Sequence, residues 1–125
     1  MPVIVEDGIV KVITDLKDLS DTTPVVLYEC KPTNIKFVIK KLYIYNQDTD
    51  DHVVTLGSYN TTAGTWDADK LIVPVPAGSK VELGPDDIPN DFVWTTGSTV
   101  MAWAAKLAAT VTANNVKIKA EFWLE

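Results

Sequence analysis

Residues 115–125 read NVKIKAEFWLE, and this stretch decides the fold class. Val116, Ile118, Ala120, Phe122 and Leu124 fall on one parity. Lys117, Lys119, Glu121, Trp123 and Glu125 fall on the other. Successive side chains of a strand point to opposite faces, so this alternation predicts a strand with one buried face. The pair Asn114-Asn115 before it is turn punctuation. Trp123 is an aromatic residue on the polar face, between two glutamates.

Working outward, the same signals recur. VIVE and IVKVIT are split at Asp7-Gly8, a turn dipeptide. Residues 15–24 (DLKDLSDTTP) read as a loop with room for one helical turn. VVLYE follows and stops near Lys31-Pro32. In IKFVIKKLYIY (35–45), Ile35, Phe37 and Ile39 share one parity, whereas Leu42 and Ile44 take the other, that of Lys36 and Lys40. An apolar set that changes parity inside one strand predicts a bulge near Lys40-Lys41, or a strand buried on both faces at its end.

Residues 46–52 (NQDTDDH) lie between this run and HVVTLGSY and read as a hairpin turn. NTTAGTWDAD reads as turn-rich, with Trp66 in the turn, and KLIVPV as the next strand. PAGS, KVELG, PDDIPND, FVWTT and STVMAWAAK complete the series. Val100, Trp103, Ala104, Leu107 and Val111 also fit helical spacing, but Gly97-Ser98 and Asn114-Asn115 bracket the segment as hairpin punctuation. Strand is therefore the expectation for 100–105.

Together these segments predict an all-β protein, an antiparallel β-sandwich of about nine or ten short strands, with the jelly roll among its forms. A chain of 125 residues is the size of one domain. The expectation is a single β-sandwich over 1–125, with 1–24 as a candidate N-terminal strand or arm.

Formal net charge is -6; the basic residues are lysines, and arginine is absent. An acidic balance argues against nucleic-acid and membrane partners. One cysteine excludes an intrachain disulfide. Glu6 and Asp7 break the N-terminal apolar run, so no signal peptide is expected. No apolar stretch approaches the roughly 18 residues of a membrane span.

Three sets of residues could carry chemistry. Asp48, Asp50, Asp51 and His52 could hold a cation. Counted from Asp48, however, the glycine and glutamate positions of a calcium loop hold Val53 and Tyr59. Asp and Asn in such a stretch are more simply turn formers. Cys30 with His52 could form a nucleophile and base, but no orienting group or local signature accompanies them. Asp67/Asp69 and Asp86/Asp87/Asp91 read as solvated loop acids. No catalytic, cofactor or metal residue is expected, and the chain is not expected to be an enzyme. Trp94 and Trp103 lie in apolar strands and read as core. Trp66 and Trp123 are the indoles available for an interface or a sugar ring.

The order of segments supplies a resemblance. An apolar strand ending at Asn46, the VPAGSKVEL run from Val75 to Leu83 and the late strand opened by Gly97 to Val100 match in order. They resemble small β-sandwich virion proteins of tailed phages and related viruses: head decoration, neck and tail-associated proteins. The resemblance spans residues 42–105, and GST stands where that family often has an acid after the glycine. It implies a virion structural protein, made in the host cytoplasm and acting by oligomeric protein–protein adhesion. Its partners would be further copies, a trimer first, and capsid or tail proteins. Interface candidates are Trp123, Trp66, Val3, Val5 and Ile9. The alternatives are a carbohydrate-binding module using an exposed Trp, and a small metal-dependent hydrolase.

Overall fold

The computed structural model describes residues 3–6, 8–29, 37–88, 92–93 and 100–124. These residues are all-β, in eleven strands. They are β1 (Val3–Glu6), β2 (Ile9–Ile13), β3 (Lys17–Leu19), β4 (Val25–Glu29), β5 (Phe37–Asn46) and β6 (His52–Asn60). There follow β7 (Thr65–Val75), β8 (Lys80–Leu83), β9 (Phe92–Val93), β10 (Met101–Leu107) and β11 (Val116–Leu124). A seven-stranded sheet runs β1-β2-β11-β5-β8, with β3 also on β11 and β9 also on β5; a four-stranded sheet runs β4-β10-β6-β7. All pairings are antiparallel.

The alternation of β11 is realised as read. Val116, Ile118, Ala120 and Phe122 are buried in the core, and Leu124 packs against it. Phe122 faces Trp103 of β10 at 6.0 Å between centroids and Tyr28 of β4 at 5.7 Å. This aromatic cluster ties one sheet to the other through tilted and stacked rings. The strand expectation for 100–105 is also met: β10 pairs with β6 along its whole length. The bulge falls where the parity change put it. Glu121 faces Lys41 and Phe122 faces Ile39, so Lys40 is the extra residue. That one residue lets Ile39, Leu42 and Ile44 all point into the core.

Three local expectations are corrected. Residues 15–24 hold no helical turn; β3 pairs with β11, and Leu19 is buried at its end. Trp66 is not in a turn. It lies in β7, which begins at Thr65, because Asp67 accepts from Ser58 Oγ (2.8 Å) and the indole lies against Gly57. The turn proper is 61–64, closed by Gly64 N–H donating to Asn60 O at 2.8 Å, with Gly64 at φ 71°. Most consequentially, 46–52 is not a hairpin. β5 belongs to the large sheet and β6 to the small one, so the segment is a corner between sheets. Trp94, Cys30, Asp91 and the Gly97-Ser98 turn lie outside the described residues.

Candidate functional site

The acidic stretch sits where the chain changes sheets. Crossings β3–β4, β5–β6, β7–β8 and β10–β11 gather at one end, since Asn46 and Leu19 both face Val116 in the large sheet. Asn46, fully buried, binds three segments at once. Its Nδ2 donates to Asp50 O (2.9 Å) and Val75 O (3.0 Å), and its Oδ1 accepts from Asp48 N–H (2.9 Å). Its backbone N–H donates to Ser79 O at 3.0 Å.

Asp48 is the second hub. Its Oδ2 accepts from His52 Nε2 (2.7 Å) and Thr112 N–H (2.9 Å). Its Oδ1 accepts from Ala113 N–H (2.8 Å) and Asn114 N–H (3.2 Å). Asp51 accepts from Ala77 N–H at 2.9 Å, and Thr112 Oγ1 bonds Asp50. The His52 ring N–H is the main cause holding the Asp48 carboxyl well below the usual carboxylate range. Burial opposes this, and the amides of Thr112, Ala113 and Asn114 add to the lowering.

Both oxygens of Asp48 are therefore engaged by donors of the chain, and His52 is buried against them. A carboxylate accepting four such bonds has little left to offer a cation. The aspartates and histidine serve as a clasp for three sheet crossings. Sequence reasoning identified the residues but not the clasp, because the partners Val75, Ala77 and Thr112–Asn114 are remote in the chain.

The clasp predicts a pH dependence. A carboxylate whose native pKa is depressed contributes stability that is fully present above its unfolded value of about 4. That contribution is lost as the pH falls from there toward the native value. The urea midpoint should hold above pH 5 or so and drop below about 4. Asp48→Asn should flatten that acid limb, as read by denaturation at a series of pH values; an unchanged limb would contradict the assignment.

A second region faces outward. The outer face of the large sheet carries Tyr43, Tyr45 and Trp123 among lysines. Lys119 and Lys80 stand over Tyr43 and Tyr45, at 5.8 and 4.9 Å from the ring centroids. Lys11 and Lys40 stand over Trp123, at 5.0 and 5.4 Å. The Trp123 indole N–H donates to Glu121 Oε2 at 3.0 Å, and Lys41 lies 4.0 Å from the same oxygen. Trp123 is thus half-buried by its own neighbours yet lies on the open face.

Trp66 is held differently. Its ring rests on Gly57, its N–H donates to Asp69 Oδ1 at 2.8 Å, and Lys106 Nζ lies 4.1 Å from its centroid. A ring so covered is not a free platform for a sugar. Of the N-terminal candidates, Val5 is 70% exposed on β1, which is the last strand of its sheet. Val3 and Ile9 lie in β1 and β2, and their side chains fall outside the described residues.

No family model matches the chain, and no curated protein matches it. Among solved structures, it is similar to a chain in the cryo-EM structure of a virus-like particle of the giant freshwater prawn (Macrobrachium rosenbergii) extra small virus. The identity is 14% and the TM-score 0.37, over 99% of this chain and 83% of that chain. A likeness so distant in sequence and so loose in space does not transfer a function.

Proposed function

We propose that this protein is a virion structural protein, of the capsid-decoration or tail-associated kind, that works by adhesion to further copies and to a capsid or tail surface. The observation that carries the reading is the terminal strand β1, which pairs on one side with β2 and presents Val5 to solvent. An apolar strand at a sheet edge invites pairing with another chain. The strand orders support the same reading. Rows β3-β11-β5-β8 and β4-β10-β6-β7 interleave strands from the two halves of the chain, with the crossings β3–β4, β5–β6, β7–β8 and β10–β11 gathered at one end. We read this as a jelly roll, an architecture used by viral capsid domains. The resemblance over residues 42–105 points the same way. The histidine and the acidic stretch are absorbed in the clasp, which argues against a hydrolase built on them.

The test is sedimentation equilibrium of the full chain over a wide concentration range, with Val5→Lys beside it. The expected result is a closed oligomer, trimer first, that the substitution weakens. A chain that stays monomeric throughout overturns the reading.

A further inference from the structure

The outer face of the large sheet gathers Lys11, Lys40, Lys41, Lys80, Lys117 and Lys119. The acids among them are Asp18, Glu82 and Glu121. Register places these residues together: Lys117 faces Asp18 and Tyr45, Tyr45 faces Lys80, Lys119 faces Tyr43, and Tyr43 faces Glu82. Glu121 faces Lys41, and Trp123 faces Lys11. Among the residues whose side chains are described, this face carries six lysines and three acids, and the remainder carries three lysines and ten acids. A lopsided distribution of this kind makes the molecule complementary to itself.

The face also has relief. Lys40 bulges out of β5 on one side of β11. On the other side the ladder with β2 ends at Ile13; Thr14 N–H donates to Ala120 O and its Oγ1 accepts from Ala120 N–H, both at 2.9 Å, while Leu16 is pushed out and stands 52% exposed. Between these two irregularities lies a groove of about 590 Å³, lined by Ile13, Leu16, Tyr43, Lys41 and Lys119, among others. Its lining is apolar, with one aromatic residue, two lysines and the two glutamates Glu82 and Glu121, and Lys41 is 61% exposed. Lysines lying on aromatic rings are partly ordered before they meet a partner, which lowers the cost of docking them.

We infer that this lysine–aromatic face is a docking surface for the acidic surface of a second copy of the same chain, in a head-to-tail contact. Charge complementarity chooses the occupant. The acids on the rest of the described chain supply that acidic surface on every copy, whereas a polyanion such as a single-stranded nucleic acid is an outcome of the test. A contact between two different surfaces, repeated, builds rings or extended arrays rather than a lone two-fold dimer. The inference rests on the oligomeric reading above and deepens it.

The experiment uses the full chain. Isotopically light and heavy copies are mixed and joined with a zero-length carbodiimide reagent at low and high salt. Crosslinks between a light and a heavy copy should join Lys41, Lys117 or Lys119 to acids outside the face. In parallel, sedimentation equilibrium should show self-association weakened roughly tenfold by high salt, and by at least as much in a Lys41→Glu/Lys119→Glu variant. Lys41→Gln/Lys119→Gln, which removes charge without setting a new acid beside Glu121, should show the same direction with an unchanged circular dichroism spectrum.

Association that survives both variants, or crosslinks between copies that avoid the face, overturns the inference and leaves the oligomeric reading standing. A chain that is monomeric under all conditions removes both. Saturable binding of a labelled single-stranded oligonucleotide, lost in the Gln variant, would assign the face to a polyanion and overturn the inference.

Discussion

Gly57→Ala is expected to destabilise the protein by about 3 kcal/mol, at the upper end of overpacking effects in a close-packed interior. A Cβ at this position would stand 2.2 Å from Ala68 O and 2.4 Å from Cζ2 of Trp66. The first obstacle is backbone of the neighbouring strand, in a stretch where β6 and β7 already shift register on either side of Gly57-Ser58. Backbone cannot step aside as a long side chain can. Gly57 shows no left-handed dihedral among the glycines that do (Gly8, Gly64 and Gly78), so the requirement is space and not backbone freedom. The companion Trp66→Ala/Gly57→Ala removes the ring but not the carbonyl. It should recover only part of the loss in urea denaturation, and full recovery would show that the ring alone was the constraint.

Asn46→Ala is expected to cost a similar amount, about 3 kcal/mol, through stranded partners rather than lost attraction. The side chain has no exposure, and its removal leaves Asp50 O, Val75 O and the Asp48 N–H without their partner. Asn46→Asp separates shape from donation: the size is kept, but two carbonyl oxygens would face a carboxylate. It should be at least as damaging as alanine at neutral pH, and less so in acid, where the introduced group is protonated. Urea midpoints with unchanged m-values would show that both substitutions act on stability and not on the extent of unfolding. If Asn46→Asp were neutral, the donated bonds could not be what closes the corner.

The clasp and the outer face have different relations to the sequence. Asn46, Asp48 and His52 stand within seven residues and draw notice at once as a cluster of polar groups. What they do depends on the Val75 carbonyl and the amides of 112–114, which nothing local predicts. The same stretch shows why a turn can be misread. Two apolar runs joined by a short polar link look like a hairpin, whether the second run folds back beside the first or crosses to the facing sheet. Trp66 was misplaced for a related reason: TWDAD has turn composition, yet it extends as strand because Gly57 leaves a bed for the indole and Asp69 takes its N–H.

By itself the sequence determined the elements that carry their own period. The alternation of β11 and the parity change at Lys40-Lys41 follow from the requirement that apolar side chains share one face, which is written residue by residue, whereas the strand character of β10 followed from the turn residues that bracket it. Tertiary structure alone decided which sheet each strand joins, that four of the crossings meet at one end, and that the lysines of β2, β5, β8 and β11 form one surface. Those are pairings between distant segments, set by how two sheets can bury their apolar faces together, and no local spacing encodes them.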